Sequence, residues 1–148
     1  MQERCKIGVV IGNANSPHAI NIMKGIDQAS KECDVQIMYF MNVSSPYTAQ
    51  LYPTDTSIGW DYQKSAIYDY ARYVKADVLI MTYGMMSIFM KSDYGKQYLE
   101  YFRNVPCVLI NEQTDRPNWT SIIVDNYNGM YELVDDLVRD HGYHNFAF

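Results

Sequence analysis

The feature that most constrains the fold is a regular alternation of short apolar runs with longer amphipathic stretches. The runs are rich in Val, Ile, Leu and Met and predict buried strands at Lys6–Gly12, Val35–Met41, Val78–Thr82, Cys107–Ile110 and Ser121–Val124. Strands that alternate with helices predict an α/β fold, with a parallel sheet covered by helices on both faces. Because crossovers between parallel strands are right-handed, we expect a doubly wound sheet in the order 2-1-3-4-5. We expect the centre of this sheet to hold Val9, Val10, Leu79, Ile80, Val108, Leu109 and Ile123.

Four helices are predicted between and after these strands. The first begins with Ser16 as N-cap and Pro17 at the first helical position, where its missing N–H costs nothing. The second and third are expected over Asp61–Lys75 and Tyr94–Arg103. The last has the clearest period, with Asn126 or Asn128 as its cap and an apolar stripe of Met130, Leu133, Val134, Leu137 and Val138. A further strand is expected to open at Asn145–Phe148, which suggests a domain cut at a crossover.

Composition excludes several functional classes. A chain of 148 residues suits one domain, and its net charge of −5 argues against nucleic acid as a direct partner. The apolar runs are too short to cross a bilayer, and Met1–Lys6 is not followed by the apolar segment of a signal peptide. We therefore expect a cytoplasmic protein without membrane contact. Its three cysteines, Cys5, Cys33 and Cys107, are expected to be buried free thiols.

A candidate binding site follows from the strand order, because ligands of such sheets bind beyond the carboxyl ends of the strands. We expect ligand contacts from Asn13, Asn15, Ser16, Tyr83, Gly84 and Asp125. Amides, hydroxyls and a carboxylate can hydrogen-bond a sugar-like ligand or another polar metabolite. The alternative is that the Asn and Asp residues serve only as turn and cap residues. His18 lies in the first turn of the first helix and is either a ligand contact or a solvated side chain.

Enzyme signatures are missing from the sequence. It has no phosphate-binding glycine loop, no G-x-S-x-G, no H-E-x-x-H and no C-x-x-C. We therefore expect no catalytic residues, cofactor or metal in this chain. The alternative is a self-contained flavodoxin-like enzyme domain that binds FMN or a nucleotide. Against it, the loop Asn13–Pro17 lacks the density of Thr, Ser and Gly that holds a phosphate.

Three segments resemble a known family of ligand-binding proteins. Val105–Asn111, the Ser121–Gly129 segment with its Asp-Asn-x-x-Gly turn, and Asp140–Phe148 are similar to lac-repressor-like proteins of the type I periplasmic-binding-protein fold. Lys6–Ile11 and the polar loop after it resemble the first strand and effector loop of that family. The likeness runs over nearly the whole chain. It departs where Tyr143 replaces the usual His and where an extra residue, His141, lengthens the helix end.

The resemblance implies that residues 1–148 form the N-terminal lobe of a two-lobe sensor of a small polar ligand. Lobe closure would signal to an output module, and the protein would act as a homodimer. Transcription factors of the family carry a helix-turn-helix segment, whereas strand one begins here at residue 6. The Trp60–Asp69 stretch and the motif Ile-Met-Thr-Tyr-Gly resemble sensor domains fused to diguanylate cyclases (GGDEF) and histidine kinases.

Overall fold

A computed structural model describes residues 4–43, 62–87, 90 and 92–147, with only the backbone described at 62–65 and 92. The element order is β1 (Lys6–Ile11), α1 (Pro17–Cys33), β2 (Gln36–Met41), α2 (Tyr62–Tyr70), β3 (Val78–Met81), α3 (Tyr83–Ser87), α4 (Ser92–Tyr101), β4 (Cys107–Ile110), β5 (Trp119–Ile122) and α5 (Asn126–Arg139). The predicted alternation of strands and helices is therefore confirmed.

The strands of the described ranges form one all-parallel sheet of five strands in the order β2-β1-β3-β4-β5, as predicted. β1 occupies an inner position and pairs with β2 on one side and with β3 on the other. After β1 the chain adds β2 on one side of it, and β3, β4 and β5 then follow in order on the other side. In doubly wound sheets ligands bind at such a reversal, beyond the carboxyl ends of the strands, which here are those of β1 and β3.

Helices cover both faces of the sheet. On one face, Val9 and Ile11 pack with Ala19 and other side chains of α1. On the other face, Val10, Met81 and Leu109 pack in the main core with the side chains of α2 and α4, including the fully buried Tyr68 and Tyr98. Of the residues predicted to be central, Val9, Val10, Leu79 and Leu109 are buried, and Ile80 and Val108 are half-buried.

The predicted position of β5 was wrong by two residues. The strand is Trp119–Ile122 and not Ser121–Val124, because the Trp119 side chain is buried and its indole N–H donates to the Val105 carbonyl at 3.1 Å. Pairing of Trp119 with Cys107 then sets the register. Ile123, which was expected in the sheet, lies beyond the strand with 48% of its surface exposed.

Two further helix predictions need correction. α2 ends at Tyr70, because the next amides bond three residues back and tighten the chain into a turn, as when Ala71 N–H donates to the Tyr68 carbonyl. The chain after β3 forms the short helix α3, which was not among the four predicted helices, and Met86 is fully buried there. α4 agrees with the predicted helix to within two residues at each end.

α5 differs from the other long helices because none of its residues is buried. Its predicted apolar stripe exists, but Met130 and Leu133 each expose about half of their surface. Its N-cap is Asp125, not Asn126 or Asn128. The described part of the predicted final strand, residues 145–147, is not in a strand, and residue 148 lies outside the described ranges.

The cysteine prediction holds for one residue of three. Cys107 is buried in the main core, whereas Cys5 and Cys33 are exposed. All three are free thiols, because no disulfide joins them. Among the described helices, none has both the length and the apolar character needed to span a bilayer.

Candidate functional site

The candidate site is the carboxyl edge of the sheet, where the loops after β1, β3 and β4 meet. Asn13 follows β1, Tyr83 and Gly84 follow β3, and Asn111 follows β4. Since β1, β3 and β4 are consecutive neighbours in the sheet, parallel pairing brings these residues to one side. Tyr83 and Gly84 are not loop residues, however, because they form the first turn of α3.

The loop between β1 and α1 is held by Asn42, which was not among the predicted site residues. Asn13 has a left-handed backbone (φ 50°), and its N–H donates to Oδ1 of the buried Asn42 at 2.8 Å. The Ala14 N–H donates to the Asn42 carbonyl at 2.8 Å. Asn42 directly follows β2, so its position at a strand end was the signal that could have identified it.

We expect Asn42→Ala to destabilise the protein by about 1–2 kcal/mol, because the Asn13 N–H loses its acceptor inside the fold. Urea denaturation measures this loss, and NMR amide shifts should change mainly in the loop that contains Asn13. Val43→Ala is the matched control, since Val43 is its exposed neighbour. Equal stability of the two variants would show that Asn42 does not hold the loop.

Ser16 and Pro17 begin α1 as predicted. Ser16 is the N-cap, and its hydroxyl accepts from the Ala19 N–H at 3.1 Å. Pro17 has no N–H to offer. Two donors that a helix N-terminus normally presents to an anion are therefore not available, which disfavours a phosphate at this position. Asn15 is exposed beside this turn.

The end of β3 contacts the end of β1 through Thr82, whose buried hydroxyl accepts from the Gly12 N–H at 3.1 Å. Glu112, two residues beyond β4, lies close to α3. A Cβ placed on Gly84 would lie 3.6 Å from Glu112 Oε2. Burial raises the pKa of the half-buried Tyr83, and the Glu112 carboxylate raises it further. Tyr83 is therefore a neutral hydrogen-bonding group at neutral pH.

A side-chain contact joins the start of α1 to the loop after β4. Nδ2 of Asn111 lies 3.1 Å from Nε2 of His18, so the amide donates to the ring when the imidazole proton is on Nδ1. Asn111 also has a left-handed backbone (φ 59°). The exposed His18 side chain thus lies at the β4 end of the carboxyl edge, and its contact with a ligand stays a prediction. Asn111 and Glu112 follow a predicted strand directly, which is the signal that could have selected them.

Asp125 is used differently from the other predicted site residues. One carboxylate oxygen accepts from the Asn128 N–H at 3.1 Å and the other from Asn128 Nδ2 at 2.6 Å. Among the described residues, no hydrogen bond joins it to the loops after β1 or β3. Its part in ligand binding stays a prediction, and in this structure it is a helix cap.

The cap predicts a pH dependence confined to α5. Hydrogen bonds from Asn128 lower the pKa of Asp125 below its ordinary value of 3.8. A lowered pKa means that the carboxylate stabilises the helix above pH 3.8, and that this stabilisation is lost as the pH falls through the lowered value. An NMR titration should show the Asn128 amide shifting with a midpoint below 3.8. Asn128→Ala removes one donor and should raise the midpoint, whereas an unchanged midpoint would contradict the side-chain contact.

Several aromatic and histidine residues are not among those described at this edge of the sheet. Tyr47, Tyr52 and Trp60 lie outside the described residues, and the side chain of Tyr62 does too. His141 and His144 are exposed at the end of the chain. Within the described ranges, no group of three or more His, Cys, Asp and Glu side chains could hold a metal ion.

Comparison with known proteins does not assign this chain to a family. No family model matches the sequence, and no curated protein matches it either. The candidate site is therefore defined by the fold and by the groups that the fold brings to the carboxyl edge of the sheet.

Proposed function

We propose that this chain is the first lobe of a two-lobe ligand sensor of the type I periplasmic-binding-protein kind. Its ligand is a small polar molecule, sugar-like or another metabolite, held at the carboxyl edge of the sheet. The observation that carries the proposal is the contact between His18 and Asn111 beside Asn13, Tyr83 and Gly84. These groups offer amide, imidazole and phenol hydrogen bonds at the carboxyl edge of the sheet.

The surface of α5 supports the two-lobe part of the proposal. An amphipathic helix is stabilised mainly by packing its apolar face, yet Met130 and Leu133 remain half exposed here. In a two-lobe protein the second lobe would cover this stripe. Ligand that binds the closed form better would shift the equilibrium between open and closed forms. The shift would reach an output module, a transcription factor or a signalling enzyme such as a diguanylate cyclase or a histidine kinase, in a cytoplasmic homodimer.

The alternative, a flavodoxin-like domain that binds FMN or a nucleotide, shares the observed strand order. The start of α1 favours the sensor. The Ala19 N–H is bonded to Ser16 and Pro17 has no N–H, so the first turn is a poor phosphate cradle. A sensor lobe of this kind performs no chemistry on its ligand.

NMR titration of the chain with a panel of sugars, nucleosides, amino acids and FMN tests the proposal. We expect millimolar binding of one panel member, with amide shift changes concentrated at Asn13–Ser16, Tyr83–Gly84 and Asn111. Asn111→Ala should weaken that binding about tenfold, because one direct hydrogen bond is lost. Lys24→Ala on the exposed side of α1 is the control and should leave it unchanged. Tight binding of FMN with flavin absorbance would establish the alternative, and shift changes away from the carboxyl edge would refute the site.

A further inference from the structure

We propose that Cys5 and Cys33 form a redox-active pair that closes reversibly into an intramolecular disulfide. The disulfide would join the amino end of β1 to the carboxyl end of α1. Both cysteines lie at the amino edge of the sheet, opposite the candidate site, so the pair is independent of the proposed ligand.

Backbone pairing brings the two cysteines to the same edge of the sheet. β1 and β2 are parallel with Lys6 opposite Gln36, and the Gln36 N–H donates to the Cys5 carbonyl at 2.8 Å. Cys5 therefore lies beside the start of β2, across a strand spacing of about 4.8 Å. Cys33 is the last residue of α1 and precedes β2 by a short turn.

The residues that flank the cysteines are already in contact. Arg4, next to Cys5, forms an ion pair with Asp34, next to Cys33, with 2.9 Å between Nη2 and Oδ1. Asp34 has a left-handed backbone (φ 49°) that turns the chain sharply from α1 towards β2. The turn and the ion pair thus place the end of α1 next to the start of β1.

Both thiols also belong to the same face of the sheet. Ile7 packs on the α1 side. Cys5 directly precedes β1 and its carbonyl continues the ladder to Gln36, so continued alternation puts its side chain on that side as well. Cys33 and Ile7 line one apolar groove together with Val35. A disulfide needs Cα atoms within about 7 Å, and Cys5, which directly precedes β1, is close enough in the fold for a local backbone movement to meet this requirement with Cys33.

Exposure separates this pair from the third cysteine. Cys5 and Cys33 are exposed free thiols. Cys107 lies in the core on the other face, where burial raises the pKa of its thiol to about 12. The thiolate is the reactive form, so Cys107 is inert and provides an internal control.

The reaction is a thiol–disulfide exchange with a low-molecular-weight disulfide such as oxidised glutathione. One cysteine thiolate attacks a glutathione sulfur and releases one glutathione thiolate. The second cysteine thiolate then attacks the protein sulfur of the mixed disulfide and releases the second glutathione. Two protein thiols become one disulfide, the two protons go to solvent or to the released glutathione thiolates, and one glutathione disulfide is reduced to two thiols.

Closure would affect the candidate site through the elements that carry it. β1 leads directly into the loop Asn13–Ser16, and α1 begins at its far end. A cross-link between the other ends of β1 and α1 restricts both elements at once. It also lowers the conformational entropy of the unfolded chain, which raises the melting temperature.

Peptide mass mapping after equilibration in glutathione redox buffers tests the pair. We expect a Cys5–Cys33 cross-linked peptide in oxidising buffer, its loss on reduction, and a melting temperature about 5 °C higher or more in the oxidised form. Cys5→Ser and Cys33→Ser should each abolish the cross-link and the temperature shift, whereas Cys107→Ala should leave the cross-link unchanged. Mixed disulfides with glutathione on both cysteines, or cross-links only between two copies of the chain, would overturn the proposal.

Discussion

Gly12→Ala is expected to destabilise the protein by about 2–3 kcal/mol, because a side chain at this position overlaps backbone atoms. A Cβ on Gly12 would lie 2.6 Å from the Met85 carbonyl carbon, 2.7 Å from its oxygen and 2.9 Å from the Met86 nitrogen. These atoms belong to α3, which packs directly over the end of β1. Backbone atoms cannot rotate away, so α3 must move, and with it Tyr83 and Gly84 of the candidate site.

Urea denaturation measures this loss, and Gly25→Ala is the matched control. Gly25 lies in the middle of α1, and a Cβ there would have no neighbouring atom within 4 Å. Alanine should therefore stabilise this position by about 0.5–1 kcal/mol through its higher helix propensity. A Gly12→Ala protein as stable as the wild type would show that α3 does not pack on β1 as described.

The largest loss is expected for Tyr98→Ala, about 3–5 kcal/mol, because a fully buried ring is removed from the main core. The Tyr98 ring packs edge-on against Phe102 with 5.1 Å between the ring centroids. Its hydroxyl donates to the Tyr68 carbonyl at 2.9 Å, which joins α4 to α2. A loss of this size is a large fraction of the stability of an ordinary domain, about 5–15 kcal/mol.

Two further variants separate packing from hydrogen bonding at Tyr98. Tyr98→Phe keeps the ring and leaves the Tyr68 carbonyl without this donor, so we expect a smaller loss of about 1–2 kcal/mol. Tyr127→Ala removes an exposed ring from α5 and should change the stability by less than about 0.5 kcal/mol. If Tyr98→Ala and Tyr127→Ala were equally stable in denaturant, the assignment of Tyr98 to the core would be wrong.

Local signals in the sequence were sufficient for the fold class, the strand order and the start of α1. Strand runs separated by helical stretches leave few topologies once crossovers are right-handed, and the order 2-1-3-4-5 is the one observed. The Ser16-Pro17 pair also predicted the start of α1 correctly, because an N-cap and a first-turn proline act within one turn of the helix. Asn13 and Tyr83 were predicted as site residues in the same way, since they directly follow the predicted strands Lys6–Gly12 and Val78–Thr82.

Tertiary structure decided the features that depend on contacts between distant residues. β5 begins at Trp119 because that ring enters the core and bonds to Val105, and no pattern within the strand itself records this contact. The pairing of His18 with Asn111 and the support of Asn13 by Asn42 likewise join separate loops. The sequence by itself therefore determined the elements and their order, whereas packing between elements determined the strand register and the groups that meet at the candidate site.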